Sequence, residues 1–207
     1  MSTKAETRER VLAAARRLLV ERGYYGAGID EIAREAGITR QAIYQHHFPS
    51  KTELLLALLD HVDRVEGIDA LFVPVQRAGD VRQALRCLVE AVAVVWSRVG
   101  AVARMLDGAR ATDAAAEAAW QSRDTVRRRG LDGLVRRAKR QGLLVPGWTP
   151  TTAGDFALSL LSVGVHHHLV VECGWSARRY VVHLDSCLAR ALFGDYFTVL
   201  GPAPFRR

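Results

Sequence analysis

The stretch Ile29–Leu55, IDEIAREAGITRQAIYQHHFPSKTELL, constrains the fold more than any other part of the 207-residue chain. Ile29, Ile32 and Ala33 recur at helical spacing and give a first short helix one apolar face. Gly37 supplies the backbone freedom that a sharp turn between helices needs, and Thr39 is a good N-cap for a second helix. In that second helix Ala42 and Ile43 can pack inward while Arg40, Gln41, Tyr44 and Gln45 point away. Pro49-Ser50 then breaks the chain, and Lys51 opens a third, longer helix. Periodicity alone fits two readings. One is an αα-hairpin within a helical bundle; the other is a helix-turn-helix whose second helix enters a DNA major groove.

The remaining pattern is helical throughout. Thr3 and Glu6 form a T-x-x-E capping box that predicts a first helix to about Glu21, with Val11, Leu12, Ala15, Leu18 and Leu19 on its core face and Gly23 as its stop. Leu54, Leu55, Leu58, Leu59 and Val62 continue the helix from Lys51 as a connector. Residues 67–80, with Gly, Pro and Asp, predict an irregular link. An apolar stripe of Leu85, Leu88, Val89, Val92 and Trp96 predicts a helix over 81–99, and a shorter one over 101–111 carries Met105 and Leu106. Thr112-Asp113 can cap a long helix to about Gln141, with Gly130 and Gly133 as kink sites. Pro150, Thr152 and Asp155 announce a helix through Phe156, Leu161, Val165, Leu169 and Val170 to Gly174. Ser176 begins the last, with Val181, Leu184, Leu188 and Leu192 at intervals of three and four and Gly194 as its stop. The tail, with Pro202 and Pro204, reads as loosely held. No run of alternating strands appears, so the chain is expected to be all-α.

A net charge of +7 and a pI near 9.8 suit a polyanionic partner. The excess lies elsewhere than in the opening segment: residues 1–60 hold nine Lys/Arg against eight Asp/Glu. Much of it sits at Arg127, Arg128, Arg129, Arg136, Arg137, Lys139 and Arg140, which read as a solvated helix face or, alternatively, a second DNA or membrane surface. Cys87, Cys173 and Cys187 are scattered and form no CxxC pair, as in a reducing cytoplasm. The charged N-terminus lacks an apolar leader, and no apolar run approaches a membrane span, so a soluble cytoplasmic protein without membrane attachment is expected.

Val11-Leu12-x-Ala14-Ala15, Gly23-Tyr24, Ile32-Ala33, Ala36-Gly37-Ile38-Thr39, Ile43-Tyr44, His47-Phe48 and Ser50-Lys51 follow one another nearly in register. Together they resemble the DNA-binding head of the tetracycline-repressor (TetR) family of bacterial transcriptional regulators. The resemblance covers roughly the first 60 residues; beyond them it extends only to length and helical pattern. It implies a helix-turn-helix domain over residues 1–50, a connector from about 51, and a ligand-binding and dimerisation domain over 51–207. It also implies that Tyr24 packs inside the head. Two departures stand out. Ala27-Gly28 occupies a place where the family more often has hydroxyl residues, and Gln45 and His46 both intervene before His47-Phe48 where the family usually has one residue. The added residue either lengthens the second helix or bulges into the turn before Pro49.

The DNA-facing set implied is Gly28, Thr39, Arg40, Gln41, Tyr44, His47 and Lys51. Arg can read guanine and Gln adenine through paired hydrogen bonds, which suits Arg40 and Gln41 to bases. Thr39, Tyr44 and Lys51 suit the phosphate backbone, and the backbone N–H at Gly28 opens a helix that can receive a phosphate. The resemblance further implies a homodimer on an inverted-repeat operator, with Leu161, Val165, Leu169, Val181, Leu184, Leu188 and Leu192 at its interface. Trp96, Met105, Trp120, Phe156 and His166 are candidate linings of an apolar pocket for a small effector. Release by such an effector would make the chain an inducible repressor. The alternatives are a DNA-binding dimer with no effector and a helical metalloenzyme. For the latter, His166-His167-His168 diverge by about 100° per residue and cannot face one ion, while His183 and Cys187 at i, i+4 could form half a zinc site. No cofactor, metal or catalytic set is expected.

Overall fold

The computed structural model describes residues 3–194, apart from the side chains of Tyr24 and Tyr25. The packing expected of Tyr24 and the tail with Pro202 and Pro204 lie outside the described residues. Among those described, every element is helical: α1 (Lys4–Gly26), α2 (Ile29–Ala36), α3 (Arg40–His46), α4 (Lys51–Val65), α5 (Ile68–Leu71), α6 (Val73–Arg77), α7 (Val81–Ala109), α8 (Ala114–Arg140), α9 (Pro150–Leu160), α10 (Val163–His166), a π-helical turn (His167–Glu172) and α11 (Ala177–Phe193). No helix among the described residues is long and apolar enough to cross a membrane.

The chain forms two compact units. The first takes residues up to Ile68 together with Arg98–Arg123. Its α1 starts on the Thr3–Glu6 capping box. It breaks at Gly23, whose φ of 74° a side chain would disfavour, and then adds a further turn to Gly26. Helix α1 packs on α2 and α4, and α2 packs on α3. Val11, Leu12, Ala15, Leu18, Leu19, Ile32, Ala33, Ile43, Phe48, Leu54, Leu55, Leu58, Leu59 and Val62 are all buried. The Asp113 carboxylate caps α8 by accepting from the Ala115 and Ala116 N–H groups (2.9 and 3.1 Å) and also accepts from the Thr52 hydroxyl of α4. Those bonds, Thr52 first, hold Asp113 below the usual carboxylate range.

The second unit takes Asp69–Ser97 and the chain from Asp124. Its core joins Leu85, Val89, Leu131, Val135, Ala157, Leu161, Tyr180, Leu184, Leu188, Leu192 and Phe193. Inside it the Asp185 carboxylate, 2% exposed, accepts both Arg82 guanidinium nitrogens, with Arg86 3.6 Å away. A charge buried this deeply is tolerable only with such partners.

Four expectations are corrected. The link at 67–80 contains the short helices α5 and α6. The helices expected over 81–99 and 101–111 are one, because Gly100 is buried in an unbroken α7, which outweighs its poor propensity. The opposite holds for the helix expected from Pro150 to Gly174. It stops at Leu160, and Ser162, at φ −70° and ψ 156°, caps α10 by accepting from the Val165 N–H. The break frees the Leu161 carbonyl, which accepts from the Trp96 indole N–H at 2.8 Å. Finally, Leu161, Val181, Leu184, Leu188 and Leu192 are buried within the chain itself. That stripe fills the unit's own core and leaves Val165 and Leu169, both half-buried, as the outer members of the set expected at an interface.

Candidate nucleic-acid interface

Helix α3 is fixed by local chemistry. The turn before it closes on Gly37, at φ 71° and ψ 34°, whose N–H donates to the Ala33 and Arg34 carbonyls. Thr39 then caps α3, its hydroxyl oxygen accepting from the Ala42 N–H at 3.1 Å. Ile43 is fully buried and anchors the inner face. Arg40, Gln41, Gln45 and His46 are exposed, and Tyr44 is half-buried. Both residues of the Gln45-His46 pair are helical, and the Ile43 carbonyl accepts from His47 N–H (3.0 Å) and Phe48 N–H (2.8 Å). The added residue thus lengthens α3 and widens its last turn, and the register from Thr39 to Tyr44 is untouched.

Arg40 is held ready. Its guanidinium donates to the Asp30 carboxylate at 3.0 Å and lies 5.7 Å from the centre of the Tyr44 ring. The pair is exposed, with 58% and 65% of the two side chains accessible. An exposed pair of this kind is weak and exchangeable, so the guanidinium can be redirected to a base edge. Asp30 was not singled out in the sequence. Its signal was an acid in the first turn of α2, ten residues before the arginine that opens α3.

Three of the other expected positions are engaged within the head. Gly28 caps α2, but its N–H faces the Glu31 carboxylate at 3.5 Å. The Arg22 guanidinium, and then that N–H, hold Glu31 below the usual carboxylate range. The chain's own acid therefore occupies the place proposed for a phosphate. Lys51 donates from Nζ to the Ala27 carbonyl at 2.6 Å, and burial draws its ammonium below the ordinary lysine range. It closes the chain just before α2. His47 is half-buried and its Nδ1 is shut off from solvent without a hydrogen-bond partner, while its carbonyl accepts from Arg8 at 3.0 Å. Burial first, then the charges of Lys4, His46 and Arg8, lower its pKa and favour neutral imidazole. Of the residues expected to face DNA, the exposed surface at α3 accordingly carries Thr39, Arg40, Gln41 and part of Tyr44, without His47.

The expected pocket residues do not share one unit. Met105 and Trp120 belong to the first, half-buried; Trp96, Phe156 and His166 belong to the second. In the second unit His166 is 5% exposed and meets the Tyr180 ring edge-on, with centroids 5.0 Å apart. Tyr180 is fully buried with its hydroxyl unpaired among the described residues, and burial pushes its pKa up to about 12. A buried hydroxyl without a partner is costly, and sequence reading had passed over Tyr180 as one more helix residue.

The basic run on α8 is largely paired. Arg128 bonds Asp124 and Asp155, Arg136 meets Asp132 at 3.4 Å, and Arg137 donates to the Ala78 and Gly79 carbonyls. Arg127 meets Asp124 and lies 5.8 Å from the Trp96 ring centre. His183 packs at a tilt against Trp175, with ring centroids 5.2 Å apart, and no group of three or more His, Cys, Asp or Glu that could hold a metal forms among the described residues.

Residues 11–58 match the family model described as bacterial regulatory proteins, tetR family. Over 87 residues the chain is 45% identical to the HTH-type transcriptional activator FasR of Mycolicibacterium smegmatis, covering 42% of this chain and 38% of that one. The chain spans less than half the length of the curated relatives it matches first. The fold is similar over nearly the whole chain to the fatty acid degradation regulator FadR of Bacillus halodurans (TM-score 0.73, 19% identity, 91% and 97% of the two chains). It is also similar to FadR of Bacillus subtilis in complex with stearoyl-CoA (TM-score 0.71, 16% identity, 90% and 98%). With its helix-turn-helix in register, the chain carries a DNA-binding head of the bacterial regulatory proteins, tetR family, over residues 11–58, joined to an all-helical body.

Proposed function

We propose that this chain is a cytoplasmic transcriptional repressor that binds an inverted-repeat operator as a homodimer and is released by a small hydrophobic effector. The observation that carries the reading is the outer face of α3. Arg40 and Gln41 are exposed there, on a helix pinned by buried Ile43 and capped by Thr39. Arg40 and Gln41 contact bases, and Thr39 and Tyr44 contact the phosphate backbone. Lys51 and Gly28 act one step back, by holding the start of α2 in place. Two heads about 34–36 Å apart read successive major grooves of a palindrome.

Dimerisation uses the second unit. Because the leucine stripe of α11 is occupied internally, pairing falls to its outward residues, Val182, His183, Ser186 and Cys187, with Val165 and Leu169. The effector site also lies in this unit, beside Trp96, His166 and Tyr180, where the unpaired hydroxyl offers a donor to an acceptor on an otherwise apolar ligand. An acyl-CoA bound to the similar B. subtilis regulator is consistent with a hydrophobic effector. Coupling between effector and operator of about 1–3 kcal/mol is typical, so ligand weakens DNA binding about 5- to 150-fold. Selection of bound duplexes from a random pool tests the reading. Enrichment of an inverted repeat is expected, and a pool that stays random after repeated rounds refutes it.

A further inference from the structure

Outside these surfaces, the π-helical turn assembles a thiol, an imidazole and a carboxylate. In an α-helix, residues 168 and 172 share a face while 173 lies about 100° away. Here the Cys173 N–H donates to the His168 carbonyl at 2.9 Å, a five-residue closure that brings Cys173 round over His168. The Cys173 sulfur lies 3.7 Å from His168 Nε2, and His168 Nδ1 lies 2.7 Å from the Glu172 carboxylate. The other carboxylate oxygen of Glu172 is 3.4 Å from His167 Nε2. A carboxylate on Nδ1 fixes the proton there and turns the Nε2 lone pair towards sulfur, the arrangement of a base oriented by a third group.

We propose that Cys173 is a covalent modification site for soft electrophiles of the α,β-unsaturated carbonyl class, with His168 as its base and Glu172 as the residue that positions His168. The thiol proton passes to His168 Nε2. The sulfur electron pair forms a C–S bond at the β carbon, and the C=C π pair moves onto the carbonyl as an enolate. The proton then returns from His168 to the α carbon, so the addition balances without an oxidant or a leaving group. Access is open: Cys173 is exposed, and among the described residues only the two chain neighbours of Gly174 come near the place where a side chain there would begin. Cys87 is half-buried, its thiol pushed up by burial, and Cys187 lies on the outward face of α11 proposed above for dimerisation. The reference for Cys173 is therefore its own rate in the unfolded chain.

The test uses the full chain and N-ethylmaleimide as the probe, with adduct formation at each cysteine followed by peptide mass mapping. Cys173 should react about 10- to 100-fold faster in the folded chain than in the urea-unfolded chain. His168→Asn should bring it down to the unfolded-chain rate, and Glu172→Gln should place it between. An unchanged thermal unfolding curve in each variant reports that the fold is intact. Equal Cys173 rates in the folded and unfolded chain, or a Cys173 rate indifferent to His168→Asn, overturns the proposal. Neither outcome depends on whether the chain binds DNA.

Discussion

Replacing Asp30 by Asn should tighten DNA binding while slightly loosening the fold. In the free protein Asp30 holds Arg40 at 3.0 Å, with both side chains more than half exposed. An exposed pair is worth about 0.2–1 kcal/mol, so releasing Arg40 to a base recovers about 0.5 kcal/mol. Removing the negative charge adds about 0.6 kcal/mol for a phosphate about 7 Å away in water-like dielectric. The sum is about 1 kcal/mol per head, which is about 30-fold for two heads on one operator. The salt dependence should steepen by about 0.9 per head. Against this, Asp30 sits in the first turn of α2, where losing a carboxylate costs about 0.3–1 kcal/mol of stability. Titration of the selected operator at several salt concentrations, alongside thermal unfolding, reads both effects. In an Arg40→Ala background about half of the affinity gain should vanish, since only the charge contribution remains. No gain at all, or an equally large gain without Arg40, refutes the account of Arg40.

Other parts of the structure make separate predictions. Lys51→Ala leaves the buried Ala27 carbonyl unpaired and should cost about 1–3 kcal/mol of stability, measured by urea unfolding, besides weakening binding to all sequences alike. An unfolding midpoint equal to wild type would return Lys51 to a pure phosphate role. Trp96→Phe removes the donor to the Leu161 carbonyl at the helix break, and a loss of about 1–3 kcal/mol is expected by the same measurement. Burial, and then the charge of His167, lowers the pKa of His166, so the unfolded chain binds the proton more readily. Stability is therefore full above the ordinary histidine pKa and falls as pH drops through the lowered one. His166→Phe should flatten the fall of melting temperature across that acid window; an unaltered slope would place its cause elsewhere, with His47 the next variant to make.

The head was legible because its signals are local: a capping box, a left-handed glycine and an N-cap threonine each act within four residues. What escaped was the destination of long side chains. Lys51 and His47 look like DNA contacts in sequence, yet distant neighbours at Ala27 and Arg8 engage them, and the Glu31 carboxylate, three residues on, faces the Gly28 N–H. In the second unit the apolar spacing of α11 announced a stripe without saying which surface would cover it, and the stripe went to the chain's own core. The break at Ser162 was hidden because serine serves equally inside a helix and as a cap. Its partner, the Trp96 indole, is 65 residues away from Leu161.

The most direct test of α3 as the DNA-reading element is parallel selection from one random duplex pool with the wild-type protein and with Arg40→Ala. The wild type should enrich an inverted repeat with half-sites one helical turn, about 34–36 Å, apart or a multiple of it. Arg40→Ala should keep the spacing and lose preference at one base pair in each half-site, at about 1–3 kcal/mol of discrimination. Identical consensus sequences from the two proteins, or no consensus from either, would contradict it.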